Sequence, residues 1–413
     1  MIKFKNEVAR NVATLMTGTV LAQAIPIAVS PILTRLYTPE DFGLFALYGA
    51  LAAIISMLAT GRYEQAIMLP QDDDEAINIV IFSLGIVVSV SVLSLVTVFL
   101  FNVELTKLLG SDDISGWLYL LPVSILVVGC YQNFYYWVNR QKKYKNIAIN
   151  RVFQSGGTAA VQVSTAFGHV GGGLMMGLVV GQTIGLIGLL QASGKKVIAF
   201  IPAVSVDKVL ESAKRYKKFP LFDSMSSILN MSTSHLQNIV LAAFYGAQTA
   251  GLYSLVLRVL VFPLSFINGA LLDVLRDKFV TEYRETGGVK VFYRKVFLVL
   301  FVLGLPPMLL LLLFAEDLFQ IVFGDNWLEA GVYASILAPM FYMRFISSPL
   351  SYMFFVAEKQ EWDVVGNILL CVSLVVSALA SDSARDFVIR ISFMHGFVYF
   401  LYLVVSARLA KAI

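Results

Sequence analysis

Two arginines, Arg258 and Arg344, each interrupt a run of about twenty mostly apolar residues, the length that crosses a bilayer. A charge at that depth costs roughly 2.5 to 3.5 kcal/mol even on the mildest insertion scale, so such residues face a cavity, a partner or a substrate. Arginine stays protonated, and its planar fork pairs phosphate or carboxylate oxygens two at a time. The chemistry on offer is therefore anion handling inside a membrane. At about 1.5 Å of rise per residue, Arg344 falls near mid-membrane and Arg258 about 10 Å from the outer end of its stretch. Two readings stay open for each. The arginine lines a cavity for an anionic ligand, or it is held by a buried acid or by helix-end carbonyls; Arg258 is also near enough to an interface to snorkel outward.

The elements that must position these residues follow from composition. Of 413 residues, 58% are hydrophobic and 14% charged, against about 25% charged in soluble domains. Mean hydropathy is +0.77. Stretches long enough to span occur at 11–34, 42–61, 77–101, 116–138, 147–167, 170–190, 221–245, 251–274, 295–315, 331–356, 363–380 and 387–408. The expected fold is an all-α polytopic membrane protein of about twelve helices. With the N-terminus inside, 25 of the 31 basic residues fall on the inner side, so both termini are expected in the cytoplasm. The acidic run Gln71–Glu75 is an exception on an inner loop. A net charge of +4 is then a topology signal and gives no reason to expect nucleic acid. The Ala22-Gln23-Ala24 segment resembles a signal cleavage site, but Thr14, Thr17, Gly18 and Thr19 make the preceding region too polar, and an uncleaved first helix is expected.

Several chemistries are disfavoured. Cys130 and Cys371 both fall in spans and read as small buried residues. His169, His235 and His395 are isolated, and no metal-ligand spacing, nucleotide loop or hydrolase motif is present. No cofactor and no enzymatic activity are expected. The longest inner loop, 191–220, divides the chain into six-span halves, 1–190 and 221–413. Within it, Val206, Val209, Leu210, Ala213 and Tyr216 form one helical stripe among Lys208, Lys214, Arg215, Lys217 and Lys218. That pattern suits either a helix lying on an anionic leaflet or a solvated connector.

RLYTPEDFG at 35–43, VNRQKKYKNIAINRVFQS at 138–155 and KFPLFDSMSSILN at 218–230 carry a resemblance, continued by FYGAQTAGLYSLVLRVLVFPLSFINGAL at 244–271 and RFISSPLSYMFFVAEKQ at 344–360. In these blocks the chain resembles bacterial oligosaccharide flippases of the polysaccharide transporter (Wzx-type) family. The resemblance implies the V-shaped fold of two six-helix bundles shared with lipid II flippases and multidrug MATE exporters. It also implies a substrate, an undecaprenyl-diphosphate-linked oligosaccharide repeat unit, moved from the cytoplasmic to the periplasmic leaflet of the inner membrane for O-antigen, capsule or exopolysaccharide assembly. Membrane lipids and other polysaccharide-assembly proteins would be its neighbours.

Against that substrate, further candidates stand out. Arg62 and Glu64, in GRYEQ after the second stretch, sit on the inner side, where a lipid diphosphate arrives; they either meet substrate or pair with each other. The seventh stretch is the most polar, and Asn230, Gln237 and Asn238 suit sugar hydroxyls or interhelical bonding. Asp223 and Asp273, near the inner ends of stretches seven and eight, join Glu64 as carboxylates able to bind a coupling ion. Two other classes remain. A MATE-like small-cation exporter would bury acids rather than arginines, and a polymerase or ligase of the same pathway would carry a large outer loop.

Overall fold

The computed structural model describes residues 2–168, 172–193, 202 and 204–412, without the side chains of 2–13, 222, 224–234, 262–263, 265–274, 277 and 286. Among the described residues the secondary structure is helical throughout. The helices are α1 (Ile2–Leu36), α2 (Pro39–Ala59), α3 (Tyr63–Ala66), α4 (Asp73–Leu109), α5 (Ser115–Leu118), α6 (Leu121–Arg140), α7 (Tyr144–Phe167) and α8 (Gly173–Ser193). They continue with α9 (Val206–Arg215), α10 (Ser224–Tyr245), α11 (Ala247–Thr286), α12 (Lys290–Phe323), α13 (Leu328–Leu350), α14 (Met353–Val356), α15 (Glu361–Ala380) and α16 (Ala384–Leu409). Each of the twelve apolar stretches coincides with a helix or a broken pair of helices.

Seven described helices are long and apolar enough to cross a membrane, or eight if α6 is counted with the short segment bent from it by 52°. α7 is left out of that number for a physical reason. Asn150, Gln154, Thr158 and Gln162 recur every fourth residue along it, facing the glycines of α8 at 177, 181, 185 and 188. Asn150 Nδ2 donates to the Gly185 carbonyl at 2.9 Å and Gln162 Nε2 to the Leu174 carbonyl at 3.0 Å. Small residues let the two backbones approach, and the amides are satisfied there instead of by water. Hydropathy alone misses a helix whose polar face is turned inward.

By contacts the chain divides into two units, Met1–Ala243 and Phe244–Ile413, a later point than the loop 191–220 at which the sequence divides. In the first unit α7 packs on α1 and α8, and α6 on α4 and α8. The RLYTPEDFG segment is a helix junction: Thr38 Oγ1 accepts from the Asp41 amide at 3.2 Å, Asp41 Oδ2 accepts from the Thr38 amide at 2.9 Å, and Pro39 opens α2. Tyr37 ties this turn to α7 by donating to the Gln162 carbonyl at 2.7 Å. In the second unit α13 is central, packed by α11, α12 and α16.

The acidic run at the start of α4 is a fastening point of the first unit. Arg140, at the end of α6, donates to Asp73 at 2.7 Å and to the carbonyls of Ile67, Pro70 and Gln71 at 3.2, 2.7 and 3.2 Å. Arg215 and Tyr216 reach Glu75 at 2.8 and 3.1 Å. The exception to the charge rule is thus a set of partners for Arg140 and Arg215.

Candidate functional site

Three of the residues singled out by the sequence meet in the first unit. After α2 the backbone turns through two consecutive left-handed residues, Gly61 (φ 56°) and Arg62 (φ 59°). Such a conformation is disfavoured for a side chain other than glycine, asparagine or aspartate. It is held by the Arg62 amide donating to Thr60 Oγ1 at 3.3 Å and by the short helix α3 that follows. Below it a cluster of Tyr63, Ala66, Ile67, Ile77, Val80 and Trp137 is buried, which makes the elbow a rigid platform.

On that platform Arg62 Nε donates to Asp223 Oδ2 at 2.7 Å, while its Nη1 lies 3.4 Å from Glu64 Oε1. Gln65 Nε2 donates to the same Asp223 oxygen at 3.1 Å. Asp223 closes a wide π-type turn, Phe219–Asp223, that leads into α10. The ring of Tyr136 on α6 lies within electrostatic reach of Glu64, Arg62 and Asp223. Side-chain exposure is 21% for Arg62, 38% for Asp223 and 1% for Glu64. One guanidinium therefore serves two carboxylates, one open to water and one sealed.

Glu64 lies outside the stretch 42–61, and its carboxyl is held above the ordinary carboxylate range, chiefly because burial disfavours the charge. The Thr60 hydroxyl and Arg62 pull the other way, and the Asp223 charge adds to the rise. Glu64 Oε2 is buried with no hydrogen-bond partner among the described residues. A group raised in this way supports the fold fully below its unfolded value and loses that support as pH climbs through the folded one. Glu64→Gln, neutral throughout, should melt a few degrees above the parent at about pH 8 and level with it at about pH 4. Thermal unfolding in detergent checks this; a gap that fails to widen with pH would remove the electrostatic cost.

The second unit holds a different arrangement. Arg344, partly buried on α13, has its guanidinium carbon 5.9 Å from the Phe341 ring centre and 6.0 Å from that of Tyr399 on α16. Tyr253 of α11 and His395 of α16, both buried, feel its charge. The imidazole Nε2 of His395 lies 3.2 Å from the Leu370 carbonyl, in keeping with a satisfied core histidine. Among the described residues no carboxylate forms an ion pair with Arg344. Aromatic faces stabilise a cation without consuming its hydrogen-bonding fork. Arg258 is partly buried on α11.

Asn238, on α10, is partly buried, and its side-chain oxygen is shut from water without a partner among the described residues. The side chains of Asn230 and Asp273 lie outside the described residues. Sequence reasoning missed Gln65, although it stands in the same GRYEQ segment. It also counted Arg151 as a plain inner-side charge. In the structure Arg151 donates to Thr19 and, at 3.1 Å, to the Tyr135 hydroxyl, and it stacks over the Tyr135 ring at 5.3 Å. The signal was its place inside the stretch 147–167, one turn from the start of that stretch.

A family model described as "Polysaccharide biosynthesis protein" matches residues 32–332. The lipopolysaccharide biosynthesis protein WzxC of Escherichia coli K12 is 22% identical over 335 residues, covering 81% of this chain and 66% of the relative. The chain thus spans just under two thirds of that relative's length. Among solved structures, the lipid II flippase MurJ in an inward closed conformation superposes with a TM-score of 0.71 at 12% identity, covering 95% of this chain and 87% of that one. An outward-facing multidrug resistance MATE family transporter of the MOP superfamily gives 0.57 at 14% identity, covering 97% and 96%. Both likenesses are of fold.

Proposed function

The chain belongs to the polysaccharide biosynthesis protein family, and from that premise we propose that it is a flippase for undecaprenyl-diphosphate-linked oligosaccharide repeat units. It carries them from the cytoplasmic to the periplasmic leaflet of the bacterial inner membrane, for O-antigen, capsule or exopolysaccharide assembly. Twelve spans form two bundles, 1–190 and 221–413, joined by 191–220, with both ends of the chain in the cytoplasm. Access alternates between the two faces and is coupled to an ion gradient.

The observation that carries this reading is the shared guanidinium of Arg62. Unpaired phosphate charge is excluded from hydrocarbon, so a lipid diphosphate needs cationic walls. Arg62 supplies one at the inner entrance, and Asp223, 2.7 Å away and the more exposed of its two carboxylates, occupies the place a phosphate oxygen would take. When a diphosphate takes the fork, Glu64 loses its counter-charge and binds a proton more readily. Anion binding and carboxylate protonation then favour one another by linkage, which supplies a means of coupling to protons. Arg344, in no ion pair among the described residues, receives the diphosphate deeper in the membrane. Asn238, its buried oxygen unpartnered among the described residues, suits a sugar hydroxyl; Asn230 is a candidate on the same helix, and Arg258 and Asp273 are candidates on α11.

Deletion of the gene tests the reading. Complete repeat units should accumulate on undecaprenyl diphosphate in the inner leaflet, and surface polysaccharide should be lost. Intact surface polysaccharide with no trapped units would sink it.

A further inference from the structure

The stripe that the sequence draws along 206–216 is split by the structure between two faces. Ser212 and Tyr216 are buried and Val209 and Ala213 partly so, turned toward the start of α4 and the elbow at α3. The contacts are polar as well as apolar: Tyr63 donates to the Ala213 carbonyl at 2.9 Å, Tyr216 to Glu75 at 3.1 Å, and Asn78 Oδ1 accepts from the Ser205 amide at 3.3 Å. This face is occupied by protein. Val206 and Leu210 stay 75% and 50% exposed, and with Lys214 and Lys217, also exposed, they follow one ridge of the helix. Lys218 adds a third exposed ammonium at the same end, and Leu221, 63% exposed, continues the apolar edge.

The ends of this segment fix its depth. Its N-cap Ser205 is tied to Asn78, in the first turn of the stretch 77–101, and its last helical residue stands six residues before the stretch that begins at 221. At about 1.5 Å per residue that leaves roughly 9 Å to the point of membrane entry. Both ends of α9 therefore lie at the level where helices enter the bilayer, and the helix runs along the inner surface. Solvated surfaces at that level have no use for an exposed valine and leucine beside three lysines. An interface of acyl chains and anionic headgroups accommodates both.

We propose that the exposed ridge of α9 is a binding surface for anionic phospholipid headgroups, with Val206 and Leu210 set into the acyl boundary and Lys214, Lys217 and Lys218 on the phosphates. Arg215 takes no part, because Glu75 holds it at 2.8 Å. Since Tyr63 joins Arg62 to Glu64 in sequence and holds α9 through Ala213, lipid on the ridge steadies the elbow that carries the cationic site. The surface depends only on the chain being in a membrane, so its test is independent of what the protein transports.

The test uses the full-length protein in nanodiscs of phosphatidylcholine alone and of phosphatidylcholine with about 30 mol% phosphatidylglycerol, read by hydrogen–deuterium exchange. Amides of 206–218 should exchange at least about fivefold more slowly with the anionic lipid, the factor expected for a single lysine at such a surface. The difference should vanish in the K214Q/K217Q/K218Q variant, whose changes are all on exposed side chains, and should shrink for the parent in about 0.5 M salt. Equal exchange in the two discs would overturn the proposal. So would a lipid-dependent difference that survives the triple substitution, since it would then rest on something other than these lysines.

Discussion

Replacing Arg344 with alanine should abolish export while the protein still inserts and accumulates to its usual level. The guanidinium lies 5.9 and 6.0 Å from the ring centres of Phe341 and Tyr399, and no described carboxylate is paired to it, so its removal strands no acid among the described residues. A structural arginine behaves oppositely, because cutting one half of a buried pair leaves the other half uncompensated. The cost should fall on the anion. Losing a buried, hydrogen-bonded charge contact typically takes about 2–5 kcal/mol, or at least ~30-fold in transport at limiting substrate. Arg344→Lys should recover only part, because an ammonium restores the charge without the planar fork or its stacking on the rings. The measurement is surface polysaccharide against membrane-protein level for the two variants. Normal export from Arg344→Ala would take the residue out of the mechanism, and full recovery by lysine would make the fork irrelevant.

The contrast between Arg344 and Arg62 shows what a sequence of this kind makes legible. Arg344 is visible because lipid forbids an unexplained charge, so a single residue in an apolar run is already a statement about its surroundings. The helices are legible for the same reason, since a spanning backbone must satisfy its own hydrogen bonds and twelve apolar stretches become helices or broken pairs of helices. Where polar residues are buried against helix backbones the signal weakens. The stretch 147–167 is a helix, Tyr144–Phe167, yet its amides face the glycines of its neighbour and it fails a hydropathy criterion that seven other described helices pass. Charges at helix ends carry still less. Arg62 and Asp223 are 161 residues apart, both stand near an interface where any cation or acid is tolerated, and nothing in either segment names the other. The same limit hid the role of Asp73 and Glu75, which appear in the sequence as acids on the wrong side and in the structure as partners of Arg140 and Arg215. The amphipathic stripe at 206–216 was visible as a pattern, but only the packing of Tyr216 and Ser212 tells which part of it is left for lipid.

The second large effect belongs to the Arg62–Asp223 pair, and it separates a fastening from a working site. Arg62→Ala should reduce export as severely as Arg344→Ala, since it removes the cation at the inner entrance and leaves Glu64, 1% exposed, without its counter-charge. That outcome alone does not distinguish a lost substrate contact from a loosened elbow. The reversed pair R62D/D223R does. If the two side chains only hold the elbow to the turn before α10, exchanging their charges restores the contact, and export returns with it. If Arg62 meets the diphosphate from the left-handed backbone position it now holds, the reversed pair regains thermal stability and protection of 60–67 from hydrogen exchange, but export stays lost. The companion variant Asp223→Asn keeps the cation and removes its competitor. It should bind an undecaprenyl diphosphate analogue in detergent about tenfold more tightly at neutral pH, on the order of 1.4 kcal/mol. Recovery of export by the reversed pair, or an Asp223→Asn protein that binds no better than the parent, would reduce Arg62 to a structural residue and leave Arg344 as the anion site.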